Sequence, residues 1–266
     1  MRRSFVDWSY MQSRVVLLIA LGVASLGAGA LRGEGTSAPG RLIVVIDPGH
    51  GGADYGARGS DGSLEKRRAL EVAKKLGARL MEAGYRVVYT REGDEFVSLV
   101  ERAEIANRAG GDLFLSIHAN ASADASAAGI ETYFLSTDAT DDEARRVADA
   151  ENSVRDESGM LPGSELVVGD ILQDLLWTAH LESSSRLAAE IQRRLARLPG
   201  PSRGVKQAPF VVLMGVNMPA ALVEIGFLTH PNEARRLGEK QHQGAIALAL
   251  AGGLEAYAEQ KVEGAR

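Results

Sequence analysis

The sequence predicts an α/β domain built on a largely parallel sheet with helices on both faces. Short β-branched, apolar runs alternate with longer segments of helical periodicity over roughly the first 120 residues, and such alternation places parallel strands between two helical layers. The first run stops directly at a glycine-rich turn, as a central strand does when it feeds a functional loop. With 266 residues there is enough chain for one large α/β domain or two small ones around a real core.

Residues 42–46 form the first predicted strand, which ends at Asp47-Pro48-Gly49. Residues 49–62 contain six glycines and no apolar period, so they read as a loop. A helix is predicted over 65–83, because Ala69, Val72, Ala73, Leu76 and Leu80 fall on one stripe; Gly84 ends it. Strands over 85–90, 113–117 and 130–135 and a helix over 99–109 follow. Residues 136–180 break this rhythm as a long polar excursion, with helices near 141–152 and 168–177 and a loop through 159–163. A helix over 184–198 returns to the body. Short strands are predicted at 211–213 and 220–225, and helices at 233–237 and 241–257 close the chain.

The N-terminus differs in kind. Arg2, Arg3 and Arg14 precede an uncharged run over 15–31 rich in Leu, Val, Ala and Gly, and Ala28-Gly29-Ala30 suits a cleavage site. Residues 1–40 therefore read as a signal peptide or membrane anchor plus a linker, with the catalytic domain over 41–260. The expected location is the periplasm after export, with anchoring through 15–31 as the alternative. Arg2-Arg3-Ser4-Phe5 resembles a twin-arginine export signal, although Asp7 and the gap before the apolar run depart from it. The formal net charge of −5, with both signs interspersed and no basic stripe, gives no footprint for nucleic acid. The chain has no cysteine, so any metal site must use His and carboxylate ligands.

Five histidines allow each to be weighed. His50 and His118 both follow predicted strands, and ligands in open parallel sheets bind outside the carboxyl ends of strands. Glu65 opens the helix after the loop that carries His50. A carboxylate there is favoured by the free N–H groups of the first turn even without a metal. Two imidazoles and one carboxylate are nonetheless a normal three-ligand set for catalytic zinc, with a position left for water. Glu224 interrupts the apolar strand around 220–227. A buried carboxylate needs a cation, a catalytic setting or a structural partner, for which Arg91 and Arg102 are the candidates.

Ile46-Asp47-Pro48-Gly49-His50-Gly51-Gly52, with Asp54-Tyr55-Gly56-Ala57 and Glu65-Lys66, resembles the opening of the zinc-dependent N-acetylmuramoyl-L-alanine amidases of the bacterial cell wall. Three further blocks match in order: Thr90-Arg91 through Ala106-Asn107; Ser116 through Asn120 with Gly129-Ile130-Glu131-Thr132-Tyr133; and Met218-Pro219-Ala220 through Leu228 with Asn232-Glu233. The resemblance implies a three-layer α/β/α fold around a mostly parallel six-stranded sheet. It implies one Zn2+ held by His50, Glu65 and His118, with Glu224 as the catalytic glutamate. It also implies peptidoglycan as the substrate, cut between the lactyl group of N-acetylmuramic acid and L-alanine. Asn120 and Arg91 are candidates for substrate contact or for support behind the ligands. Met214 and His230 depart from an arginine and an asparagine frequent in relatives.

The excursion over 136–180 resembles the regulatory helical insertion of Gram-negative division amidases. That likeness implies an autoinhibitory carboxylate on the metal, for which Glu151, Glu157 and Glu165 are candidates. It also implies an activator protein with coiled-coil and degraded-peptidase-like regions, while the amidase itself is expected to be a monomer. Competing readings are a zinc peptidase or deacylase acting on another amide, and an inactive peptidoglycan-binding relative.

Overall fold

The computed structural model describes residues 42–153 and 171–263, without the side chains of 171–179, 262 and 263. The β-branched run that opens this region becomes β1 (Ile43–Pro48), buried along nearly its whole length, as a central strand between two helical layers must be. The predicted apolar stripe turns α1 (Glu65–Glu82) onto the sheet, and Gly84 ends it with a φ of 88° that favours glycine. Next come β2 (Arg86–Tyr89), α2 (Leu99–Arg108), β3 (Leu113–Asn120) and β4 (Ile130–Leu135). The Ser98 side chain caps α2, and Asp141 caps α3 (Asp142–Asn152). The chain closes with α4 (Ile171–Leu195), β5 (Ser202–Ala208), α5 (Val211–Met214), β6 (Ala220–Phe227), α6 (Pro231–Leu237) and α7 (Lys240–Glu263).

Six strands form one sheet in the order β2-β1-β3-β6-β4-β5. Every neighbouring pair is parallel except β4 with β6. Alternation along the strands divides the core in two. Val44, Ile46, Leu115, Ile117 and Val223 face α1, α4 and α7. Val45, Phe114, Leu222 and Tyr133 face α2, α3 and α5. This is the expected three-layer α/β/α arrangement.

Three local features differ from expectation. Residues 211–213 form the short helix α5 rather than a strand; a three-residue apolar run carries no period that separates the two. The sixth strand is instead β5, which lies at the sheet edge with the polar sequence Ser-Arg-Gly-Val-Lys-Gln-Ala. Edge strands carry charge that blunts edge-to-edge pairing, and this erases the apolar alternation. The two helices expected at 168–177 and 184–198 are joined where they are described, residues 171–177 and 184–195 belonging to one continuous helix, α4. The leader over 1–40, the loop through 159–163, Glu157 and Glu165 lie outside the described residues.

Close helix packing on the first face rests on Gly253 of α7. A Cβ there would lie 2.7 Å from the Ile191 Cα of α4. Gly253→Ala improves helix propensity by about 1 kcal/mol, but forcing the two backbones apart costs about 1–3 kcal/mol. Urea unfolding of that variant is expected to show a net loss of stability, despite the better helix former.

Candidate metal centre and active site

The two histidines lie 68 positions apart, yet register brings them together. Pro48 of β1 pairs with Ile117 of β3, and the Gly49 N–H donates to the Ile117 carbonyl at 3.0 Å. His50 and His118 therefore leave adjacent strand ends, with ring centroids 4.9 Å apart. This is the carboxyl edge of the sheet, on the face that α2 and α3 cover.

The turn carrying His50 is strained and clamped. His50 has a φ of 58°, the only positive value at a non-glycine among the described residues. Gly49 permits the approach of the second ring, since a Cβ there would lie 2.3 Å from His118 Cε1. Two buried arginines hold the turn from below. Arg91 donates to the carbonyls of Pro48, Gly49, Lys66 and Gly93 at 2.7–2.9 Å. Arg102 donates to Asp47 Oδ1 at 2.7 Å and to the carbonyls of Pro48, His50 and Val97. Arg91 is thus a clamp behind the site, and neither arginine pairs with Glu224.

Four side chains meet in front of this turn. Glu65 Oε1 lies 3.1 Å from His50 Nε2 and 3.0 Å from His118 Nδ1. Glu151, in the last turn of α3, brings Oε2 to 3.1 Å from His50 Nε2 and 2.8 Å from His118 Nδ1. One ligand atom from each of His50, Glu65, His118 and Glu151 lies within 4.8 Å of every other. Glu65 is oriented by the N–H groups of Ala57 at 2.7 Å and Ala119 at 2.9 Å. Asp54 Oδ2 lies 2.7 Å from His50 Nδ1 and so commits Nε2 to the cluster. That role of Asp54 escaped the sequence reading, although an acid four residues after a candidate ligand was a usable signal.

The cluster fits a metal ion. Tetrahedral bonds of about 2.0–2.1 Å put ligand atoms about 3.3 Å apart, close to the separations seen. His50 Nε2 and Glu151 Oε2 are buried without a hydrogen-bond partner among the described residues, as ligand atoms are.

Glu224 pairs in register with His118 on β6 and is fully buried. Neither of its oxygens has a hydrogen-bond partner among the described residues. Across the antiparallel pair, Glu131 of β4 stands beside it. A cleft of about 850 Å³ lined by His50, Glu65, Asn120 and Glu151 opens between the loops after β1 and β3 and the face of α3 that bears Arg146 and Glu151.

The sequence model of the N-acetylmuramoyl-L-alanine amidase family matches residues 44–256, which contain all of these side chains. The chain belongs to that family. It is a hydrolytic amidase acting on peptidoglycan. The amidase AmiA of Escherichia coli (strain K12) is 37% identical over 221 residues, covering 82% of this chain and 76% of its own. Among solved structures, the amidase AmiC2 of Nostoc punctiforme superposes with a TM-score of 0.63 at 31% identity, covering 82% of this chain and 97% of that one. An amidase from Clostridium difficile 630 gives 0.64 at 29% identity, covering 84% and 99%.

Electrostatics of the amidase site follow from crowding carboxylates around two imidazoles. Burial lowers the His118 pKa, but Glu151 and Glu65 outweigh it and raise it to about 10. Burial likewise opposes protonation of His50, and Glu65, Glu151 and Asp54 carry it well above the ordinary imidazole value. Glu224 moves the other way for a carboxyl. Burial first, then repulsion from Glu151, pushes it well above the carboxylate range against the pull of His118. The pocket thus demands positive charge, which two imidazolium ions or one divalent cation can supply.

The turn depends on Asp47. Burial raises its carboxyl, but Arg102, Ser116 and Thr90 outweigh burial and hold it below the ordinary range. Asp47→Asn leaves Arg102 buried without its counter-charge, and urea unfolding is expected to show a loss of about 3–5 kcal/mol. Because the folded pKa is depressed, the wild-type contribution is complete above the unfolded value of about 3.9 and is lost as pH falls through the folded one. The variant should lack that share of the acid sensitivity below about pH 4.

Proposed function

We propose that this amidase uses one Zn2+ held by His50, Glu65 and His118, with Glu224 carrying the proton, and that Glu151 closes the fourth metal position until a partner removes α3. The carrying observation is the convergence of four ligand atoms, three from the sheet edge and its following helix and one from the excursion. Two nitrogens and two oxygens suit zinc, and three ligands with an open fourth position are the catalytic arrangement. Zinc supplies, when bound, a Lewis acid for the scissile carbonyl and a water acidified to a pKa of about 7.

Glu224 accepts the proton of the attacking water. It then delivers that proton to the departing nitrogen, because an amide leaves poorly as an anion. The C–N bond breaks, leaving a carboxylate on the lactyl group and a free amino group on L-alanine. Burial without a hydrogen-bond partner suits Glu224 to this exchange, since it raises the carboxyl well above its ordinary range and so makes Glu224 a stronger proton acceptor than an exposed glutamate. The Asp47–Arg102 clamp and Arg91 hold the His50 turn throughout.

Peptidoglycan lies outside the cytoplasmic membrane, so the enzyme works after export to the periplasm, and the charge-free run at 15–31 is the leader in this reading. No helix among the described residues is long and apolar enough to cross a membrane. Self-inhibition is the state in which Glu151 lies on the ligand atoms. An activator protein would then act by drawing α3 off the monomer.

Three outcomes test this. Glu224→Gln should abolish release of stem peptides from muropeptides, read by mass spectrometry, while zinc content is unchanged; residual release within tenfold of wild type would remove Glu224 from the reaction. Glu151→Ala should raise turnover of purified peptidoglycan, and a fall or no change would sink the inhibitory role. Stripping the metal should leave both imidazoles protonated at neutral pH, so zinc addition must expel protons. Calorimetry in buffers of different ionisation enthalpy should detect that release, with apparent affinity weakening as pH falls.

A further inference from the structure

Asn120 stands two residues beyond His118 on β3, which puts both side chains on the same face of the sheet. Its backbone is pinned by the Leu228 N–H, which donates to the Asn120 carbonyl at 2.8 Å. The β3–β6 register slips between His118 and Asn120, and such bulges re-aim side chains beside active sites. The residue is 5% exposed and lines the cleft.

A side-chain amide offers a donor at one end and an acceptor at the other, and its orientation follows from its partners. Here the partner leaves one choice. Asn120 Nδ2 donates to Glu131 Oε1 at 2.8 Å. The other oxygen of Glu131 receives Arg203 Nε at 3.0 Å and lies 3.1 Å from Lys206 Nζ. Glu131 is fully buried and serves two cations, so it only accepts. The amide nitrogen must therefore face Glu131, and the oxygen must face away from it. Among the described residues no donor reaches Oδ1.

We propose that Asn120 is a specificity-determining residue of the amidase, its Oδ1 accepting a hydrogen bond from an amide N–H of the muramyl-peptide substrate. Glu131, Arg203 and Lys206 act as positioning residues that hold the acceptor outward. The inference rests on the substrate reading above and adds to it a particular donor–acceptor contact. A fixed, nearly buried acceptor at a cleft wall discriminates strongly, because a ligand without the matching donor leaves it unpaired. The stem peptide presents two amide N–H groups close to the reacting carbonyl, at the bond to be cut and at the next peptide bond.

The test uses the full zinc-loaded chain carrying Glu151→Ala and Glu224→Gln, which clears the blocking carboxylate and prevents turnover. Calorimetry compares N-acetylmuramoyl-L-alanyl-D-isoglutamine with two analogues, one N-methylated at the scissile amide and one at the next. At least one analogue should bind about tenfold more weakly than the parent, and Asn120→Ala should erase that difference. Glu131→Gln, which keeps Asn120 but frees its amide to turn over, should shrink the same difference and guards against a folding defect in the alanine variant. If Asn120→Ala weakens all three ligands equally, or none, the inference is overturned while the substrate reading stands. If the parent ligand does not bind at all, the substrate reading fails and takes the inference with it.

Discussion

Charge balance at the end of a sheet governs this molecule. Glu65, Glu151 and Glu224 gather around His50 and His118 in a largely buried place, and Arg91 and Arg102 are engaged in the clamp beneath His50. Anions gathered in such a place must be neutralised, because an uncompensated buried charge costs several kcal/mol. Protonated imidazoles or a divalent cation can supply that charge. The strand order serves this end: β1, β3 and β6 are consecutive in the sheet, so their carboxyl ends deliver His50, His118 and Glu224 side by side.

Much of this was legible because chemistry and local pattern agreed. β1 ended in Asp47-Pro48-Gly49, and α1 began at Glu65, so the positions of His50 and Glu65 followed from two element boundaries. Glu224 announced itself by interrupting an apolar strand. Glu131 carried the same signature inside Ile130-Glu131-Thr132-Tyr133 and went unread as part of a motif block. Its partners Arg203 and Lys206 lie on β5, the strand whose edge position hid it. The clamp was hidden for another reason. Arg91 and Arg102 point at backbone carbonyls, and no residue type in the sequence marks a carbonyl that needs a donor. Glu151 could not be separated from Glu157 and Glu165, since which part of an excursion docks on the body is set by tertiary contacts that leave no local pattern in the sequence.

The docking of α3 rests on few apolar contacts. Its buried apolar side chains are Ala144, Val147 and Ala148, which remove little apolar surface from water beside the large side chains elsewhere in the core. A buried Val contributes about 1.5–3 kcal/mol and each Ala less. The rest of the attachment is polar. Asn152 exchanges hydrogen bonds with the Pro209 carbonyl and the Val211 N–H, both at 2.8 Å. Glu143 pairs with Arg203, and Asp141 lies 3.3 Å from Lys206. Half-exposed ion pairs of this kind contribute little and weaken with salt.

That division of labour separates two demands on the same face of the sheet. The ligand row and Glu131 need rigidity, and they obtain it from strand register and buried charge pairs. In the self-inhibited state proposed above, the element that brings Glu151 would have to leave, and small side chains and polar contacts suit it to that. Arg203 joins the two, bonded through Nε to buried Glu131 and through Nη2 to Glu143 of α3. If α3 departs as proposed, the bond between Arg203 and Glu131 does not depend on it, nor does the orientation of Asn120. The contact proposed for Asn120 would therefore stay assembled while the fourth metal position opens, which a contact built on α3 would not.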